Sequence, residues 1–230
     1  ISQTYTENGE EFGLFLETSF GNSFLIEPTF AITSGDGKNS FGVDSRDSDK
    51  GGVKLGSRIN FLPFGNFEDG NQASTVDLVG EKKLKAMFGF AFSKNFGASN
   101  LVGDGHGDFI LYDSMGEEKY PDYSQLFFDL NLKYKRFSLL FEYADSFASG
   151  LNDIYTDPNG FNILVPEQIS EYLVLGDSHG IHFGYFTKSG YSIDFIYEQL
   201  NPEFNSNVDS ILRESTNVGF GLSKHLSDNN

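Results

Sequence analysis

Apolar and polar residues alternate over many short segments of the chain, while helical periodicity is nearly absent. An alternation with a period of two predicts β-strands that have one apolar face and one polar face. The sequence contains nine such segments, each near the roughly 9–11 residues of a tilted strand that crosses a membrane. They are residues 11–20, 23–33, 52–62, 84–93, 123–134, 137–145, 179–187, 191–200 and 216–225.

The connections between the predicted strands alternate in length. Short turns at one rim and long loops at the other are typical of outer-membrane barrels. Residues 63–83 are an exception, because they form a long connection on the short-turn side. The tight turns are 21–22, 135–136 and 188–190, and the long polar loops are 34–51, 94–122 and 146–178.

Aromatic residues flank each of the three tight turns. Repeated aromatics at this level are typical of the interfacial girdle of a membrane barrel. A soluble hairpin has no reason to repeat the arrangement three times. The predicted girdle consists of Phe20, Phe24, Tyr134, Phe137, Phe186 and Tyr191.

Ionisable residues concentrate on the polar faces of the predicted strands, and the apolar faces carry almost none. A face in contact with lipid should exclude charge, because Arg or Lys at the bilayer midplane costs about 2–4 kcal/mol. We therefore predict a transmembrane antiparallel up-and-down β-barrel whose polar face lines a pore. The predicted lining residues are Glu17, Glu27, Lys54, Arg58, Lys85, Asp129, Lys133, Glu142, Asp194 and Glu198.

Composition supports this interpretation and excludes several others. The 230 residues include 25 Phe and 11 Tyr but no Cys and no Trp, and the formal net charge is −17. Without Cys there is no disulfide, Cys-ligated metal site or thiol nucleophile. The acidic balance argues against a nucleic-acid partner, which needs a basic patch. The high aromatic content argues against a disordered acidic chain.

Four stretches together resemble the phosphate-selective porin O/P family, in the version common in Bacteroidota. The stretches occur in the order and spacing of that family and together cover most of residues 10–225. They are Arg58-Ile-Asn-Phe-Leu-Pro-Phe-Gly65, Glu81-Lys-Lys-Leu-Lys-Ala-Met-Phe-Gly89, Leu132-Lys-Tyr-Lys-Arg-Phe-Ser-Leu139 with the Glu142-Tyr143 pair, and Tyr197-Glu-Gln-Leu-Asn-Pro202.

The resemblance implies a porin of about 16 strands, often trimeric, in the outer membrane of a Gram-negative bacterium. About nine strands fall in this chain, so we expect residues 1–230 to be a single barrel domain that is incomplete at one or both ends. The expected partners are outer-membrane lipid and lipopolysaccharide, a homotrimer or other outer-membrane proteins. The family's phosphate selectivity comes from basic residues in the lumen. The predicted lining here has six acids and four bases, so that selectivity is doubtful, and a ring of acids would favour cations.

The sequence predicts no catalytic residue, cofactor or metal centre. No phosphate-binding Gly-rich loop or nucleophile elbow is present. His179 and His182 should point to opposite strand faces. The acidic stretches Asp44–Asp49 and Asp104–Asp108 lack full calcium-loop spacing and read as solvated loops, with weak calcium binding as the alternative. Segment 161–175 is unusually apolar and could either constrict the lumen or dock a protein.

Three functions remain open at this point. The first is a passive diffusion channel for small solutes or ions. The second is a non-conducting barrel subunit of a larger outer-membrane complex, with the long loops as docking surfaces. The third is a soluble β-sandwich or lectin-like domain, which the aromatic residues that flank the tight turns disfavour.

Overall fold

A computed structural model describes residues 13–35, 53–103 and 109–225. The acidic stretches 44–49 and 104–108, including His106, lie outside these residues. Ten strands and two short 3₁₀ helices are present in the described part of the chain. The strands are β1 (Gly13–Glu17), β2 (Phe20–Gly21), β3 (Leu25–Thr33), β4 (Lys54–Leu62), β5 (Lys85–Asn95), β6 (Asp122–Tyr134), β7 (Phe137–Ser149), β8 (Gly176–Phe186), β9 (Tyr191–Pro202) and β10 (Ser215–Lys224); the helices span Glu68–Ala73 and Pro166–Glu171.

The strands form one antiparallel up-and-down sheet. From β3 to β10 every strand pairs with its neighbour in sequence, and β1 and β2 both pair with β3. This arrangement confirms the predicted all-β, up-and-down topology. Within the described chain the sheet does not close on itself, so β1 and β10 form its two edges.

The first predicted strand is divided into β1 and β2 because of a proline. Glu17 pairs with Thr29 and Phe20 with Ile26, so the register is the same on both sides of the gap. Pro28, which stands between these partners on β3, has no N–H to donate to the ladder. The Pro28 carbonyl still accepts hydrogen bonds from the Thr18 N–H at 3.1 Å and from the Thr18 hydroxyl at 3.4 Å.

Helices contribute little to this fold. The two 3₁₀ helices have six residues each and belong to connections, not to the sheet. Over residues 13–35, 53–103 and 109–225, no helix has the length and apolar character needed to cross a membrane.

The buried apolar clusters all lie on the polar side of the sheet. One cluster joins Leu25, Leu62 and Met87 to Phe67 from the connection 63–83. A second joins Ala144 of β7 to residues of the long loops. The largest lies almost entirely between the long loops, and its buried members are Ala98, Leu111, Tyr123, Ile154, Leu164, Ile169, Leu173 and Leu175. The connections therefore fold back over the polar face and leave the apolar face uncovered.

Candidate functional site: the polar face of the sheet

The strand register places all ten predicted lining residues on one face of the sheet. Directly opposed residues share a face, and the pairs Thr33–Lys54, Lys85–Lys133 and Asp129–Glu142 connect the positions across strands. We call this the polar face and the opposite one the apolar face. Whether the polar face lines a pore stays a prediction.

Four of the six acids on this face lie in a single row across the sheet. Consecutive strand pairings link these positions from β3 to β10, near the middle of the long strands β6 and β7. We call this row the acidic row. Its members, in strand order, are Glu27, Asn60, Gly89, Asp129, Glu142, Gly180, Glu198 and Asn217. Carboxylates at one level on a shared surface produce a negative potential that attracts cations.

Arg58 neutralises one member of this row. Its guanidinium crosses β5 to reach Asp129, with an N···O distance of 2.8 Å, and also donates to Asn60 at 2.8 Å. The guanidinium can cross β5 because Gly89, which lies between Arg58 and Asp129, has no side chain. A Cβ on Gly89 would come within 2.3 Å of both the Arg58 Nη2 and an Asp129 oxygen.

The connection 63–83 covers the polar face on the short-turn side, and we call it the inner segment. Lys133 is only 1% exposed beneath it. The Lys133 ammonium donates to the carbonyls of Asn71, Ser74 and Val76, the latter two at 2.5 and 3.3 Å. Its three N–H donors are thereby all used. Lys133 is therefore an anchor of the inner segment and not a free cation on the polar face.

Two fully buried carboxylates hold the inner segment together. Asp77 accepts hydrogen bonds from the Gly80 and Glu81 amides and from the Arg136 amide at 2.6 Å, which ties the segment to the β6–β7 turn. Glu81 accepts from the Glu68 amide at 2.7 Å. Asn71 donates to both carboxylates. These donors satisfy both oxygens of Asp77 and the Oε1 of Glu81, which reduces the cost of burying the two carboxylates. The buried Glu81 Oε2 has no hydrogen-bond partner among the described residues.

The long loops cover the polar face from the other side. Residues 96–103, 109–121, 150–175 and 203–214 pack on one another, and we call them the loop module. Val174 and Leu212 of this module contact Ala144, one row away from the acidic row. In the predicted segment 161–175, Ile169, Leu173 and Leu175 are buried, whereas Phe161 and Ile163 are exposed. The part of the segment from Ile169 to Leu175 thus packs among the loops and against the sheet, whereas the part from Phe161 to Ile163 is exposed.

The remaining predicted lining residues are spread over the ends of the polar face. Lys85 donates to the Phe64 carbonyl at 2.9 Å, so it also contacts the inner segment. Asp194 lies 3.0 Å from the His182 Nε2 and accepts from the Ser192 hydroxyl. Lys54 is buried near the long-loop end, and Glu17 lies on the edge strand β1. The structure therefore does not bring the ten side chains into one cluster.

The predicted aromatic girdle divides between the two faces. Phe20, Tyr134, Phe137 and Tyr191 lie on the apolar face, where all four are exposed. Phe24 is exposed in the turn before β3. Phe186 pairs with Ser192 and so belongs to the polar face, because it is one residue past Tyr185 on β8. The girdle prediction for Phe186 relied on its closeness to the turn and ignored this parity.

The apolar face carries a band of Phe, Leu, Ile and Tyr side chains. On β6 the band runs through Leu126, Phe128, Leu130, Leu132 and Tyr134. Within the described strands, charged residues occur on this face only near the strand ends: Lys94, Asp122, Asp145 and Asp177 on the long-loop side and Lys224 on the short-turn side. Lys94 and Asp122 pair there at 2.9 Å. The band thus has a sharp polar boundary on the long-loop side.

The described residues contain no group of three or more His, Asp and Glu side chains arranged to hold a metal ion. His179 pairs with Tyr143 on the apolar face and His182 with Leu140 on the polar face, so the two do point in opposite directions. The residues that the sequence reasoning missed are Asn71, Asp77 and Glu81. Their only signal in the sequence was the unexplained length of the connection that contains them.

Comparison of the chain with protein-family models, with curated proteins and with solved structures gave no match.

Proposed function

We propose that this chain is the wall of an outer-membrane β-barrel that acts as a porin-type passive channel for small solutes or ions. The observation that carries the proposal is the inverted burial of the sheet. On β6, Gln125 and Lys133 are each 1% exposed, whereas Leu126 between them is 43% exposed. A soluble sheet buries its apolar face. An exposed apolar face and a covered polar face are what a lipid-facing strand requires.

The apolar band has a height that suits a membrane. From Leu126 to Tyr134 it follows about 27 Å of strand at roughly 3.4 Å per residue. A strand tilt of about 40° reduces this to about 21 Å along the membrane normal, against the roughly 25 Å of outer-membrane barrels. The four exposed aromatics on the apolar face lie at the short-turn end of this band, where an interfacial girdle would be.

The proposal requires the outer edges of β1 and β10 to be paired in the membrane. Each unpaired backbone group in hydrocarbon costs several kcal/mol. Both edges expose apolar side chains, among them Leu14 of β1 and Phe220 of β10. Pairing of these edges would close the wall and shield the two strands.

Passive transport needs only a suitable pore radius and pore charge. Of the four bases on the polar face, Arg58 is paired with Asp129 and Lys133 is held by carbonyls. The acids of the acidic row are therefore not balanced by a ladder of free bases, and we expect weak cation preference instead of phosphate selectivity.

Single-channel recording in planar bilayers tests this function. The proposal predicts ohmic conductance with a reversal potential that indicates cation preference. The double variant Glu142→Gln, Glu198→Gln should lower that preference and leave the open-channel current nearly unchanged. Glu68→Gln, which removes an exposed acid of the inner segment, is the matched control and should change neither. A protein that is soluble without detergent would contradict the membrane proposal altogether.

A specific observation favours a second function, the non-conducting subunit of a membrane complex. The inner segment and the loop module cover the polar face from its two ends, and the acidic row lies between them. If both covers stay in place, little of the pore remains open. A silent barrel in bilayers that co-purifies with large partners supports this second function, and ohmic pores exclude it.

A further inference from the structure

The two rims of the sheet carry opposite charge. In the described loop module there are ten Asp and Glu residues but only two bases, Lys119 and Arg213. The short-turn rim has five exposed lysines: Lys82, Lys83, Lys135, Lys188 and Lys224. We call these five the basic rim. The inner segment adds four acids on the same side: Asp77 and Glu81 are fully buried, Glu68 is exposed, and Asp69 follows Glu68 in the sequence.

The basic rim is continuous because backbone hydrogen bonds join its turns. The Lys135 amide donates to the Glu81 carbonyl at 2.7 Å, beside Lys82. The Phe186 amide donates to the Arg136 carbonyl at 2.9 Å, and the His225 amide to the Gly190 carbonyl at 2.8 Å. Three strand connections and the end of β10 therefore form one connected edge.

The lysines nearest the apolar face stack on its aromatic residues. The Lys135 Nζ lies 4.8 Å from the ring centre of Tyr134, and the Lys224 Nζ lies 5.0 Å from that of Tyr191. Lys135 and Arg136 both have positive φ, 48° and 74°, as a type I′ two-residue turn requires. This turn holds an exposed ammonium directly beside an exposed aromatic ring at the border of the apolar band.

We propose that the basic rim binds the phosphate groups of anionic phospholipids in the adjacent membrane leaflet. The inference rests on the proposed membrane function, in which short turns face the periplasm. A lipid headgroup is favoured over a soluble anion because the lysines lie next to an exposed apolar band, so that phosphate and acyl chain can be contacted together. Lysines near an anionic bilayer each contribute about a fivefold preference, the equivalent of roughly 1 kcal/mol.

The test measures lipid preference in reconstituted vesicles. The full chain is inserted into phosphatidylcholine vesicles, and the association of spin-labelled phosphatidylglycerol is compared with that of spin-labelled phosphatidylcholine by electron paramagnetic resonance. We expect each lipid site beside a rim lysine to prefer phosphatidylglycerol about fivefold at low salt, so that the preference averaged over all boundary lipid is smaller. This preference should disappear at 1 M salt, where the Debye length is only about 3 Å.

Two charge-matched triple variants locate the effect. Lys135→Gln, Lys188→Gln, Lys224→Gln removes three charges from the basic rim and should reduce the preference by more than half, with Lys82 and Lys83 supplying the rest. Lys94→Gln, Lys119→Gln, Arg213→Gln removes three charges from the opposite rim and should leave the preference unchanged. The salt dependence of the wild type gives an independent measurement if a variant fails to fold.

Four results would overturn the inference. Equal loss in both variants would assign the preference to net charge instead of the rim. Competition by free glycerol phosphate at concentrations far below those of the lipid would assign it to a soluble anion. Insertion without any headgroup preference would remove the basic-rim inference alone. Failure to insert into any vesicle would overturn it together with the proposed function, so the two failures are distinguishable.

Discussion

The two faces of the sheet differ in a way that reverses the usual relation between polarity and burial. On the apolar face, Phe90 and Phe183 are almost half exposed, and Phe220 at the β10 edge is 83% exposed. On the polar face, Ser138, Ser146 and Ser178 are buried. The alternation alone is compatible with an ordinary half-buried sheet. In this sheet the connections fold over the polar face, so the polar face is covered by protein and the apolar face is left exposed.

The largest expected effect comes from placing a positive charge on either of two neighbouring residues of β6 that lie on opposite faces of the sheet. Phe128 packs on Phe90 and Phe141 in the middle of the apolar band, at ring-centre distances of 4.9 and 5.9 Å. Phe128→Arg should block membrane assembly, because Arg at the midplane costs about 2–4 kcal/mol. Asp129→Arg should assemble and shift ion selectivity toward anions. Heat-modifiable migration on gels and reversal potentials measure these outcomes, and the opposite result would mean that the faces are exchanged.

The next effect concerns the inner segment, which covers the polar face on the short-turn side. Lys133→Met keeps the length of the side chain but leaves the carbonyls of Asn71, Ser74 and Val76 without their common donor. With each unsatisfied carbonyl costing about 1–3 kcal/mol, the inner segment should detach. We expect faster amide exchange over residues 71–77 and larger conductance. Lys135→Met, at an exposed position two residues away, should change neither quantity.

A smaller effect should follow from adding a side-chain carbon at Gly89, in the space through which Arg58 reaches Asp129. Gly89→Ala forces Arg58 and Asp129 apart, because the new Cβ would lie within 2.3 Å of both. Losing a charge-assisted hydrogen bond costs about 1.5–3 kcal/mol, reduced here by solvent at the partly exposed guanidinium. Gly56→Ala is the control, since its Cβ meets only the Ala31 Cβ at 3.6 Å. Equal thermal stability of the two variants would show that the ion pair contributes nothing.

The smallest effect is a pH dependence confined to the loop module. Hydrogen bonds from backbone N–H groups lower the pKa of Asp157 below its usual 3.8. The Asn162 N–H has the largest effect, followed by those of Phe161 and Asn159. A lowered folded-state pKa means that the carboxylate stabilises the turn above pH 3.8 and that this contribution is lost as the pH falls through the folded pKa. Amide exchange at Phe161 and Asn162 should therefore accelerate at the acid end of a pH series. In Asp157→Asn the acceleration should be absent.

The strands were predictable from the sequence because period-two patterning is a local property. The face on which each residue lies also follows from it, and all ten predicted lining residues fall on one face as the alternation requires. The gap between β1 and β2 follows from Pro28, a local cause that the pattern did not weigh. Phe186 was assigned to the girdle from its closeness to the turn, whereas parity along β8 places it on the polar face.

The packing of the inner segment and the loop module on the polar face could not be predicted in the same way. The inner segment is held by Lys133, a residue about 60 positions away in sequence. No local pattern in 63–83 indicates that distant anchor. The apolar character of 161–175 did suggest inward folding or docking, but the partners of that segment, such as Leu111 and Tyr123, come from another connection and another strand. Contacts of this kind depend on the assembled sheet.

Even-numbered residues of β6 are proposed to face lipid and odd-numbered residues to face water. The chain has no native cysteine, so single cysteines can test this directly. Single cysteines at positions 126 to 130 are labelled with a fluorophore in reconstituted vesicles, and quenching by brominated lipid is compared with quenching by aqueous iodide. We expect strong lipid quenching at positions Leu126, Phe128 and Leu130, and iodide quenching at Phe127 and Asp129. Uniform quenching along the strand, or lipid quenching at the odd positions, would contradict it.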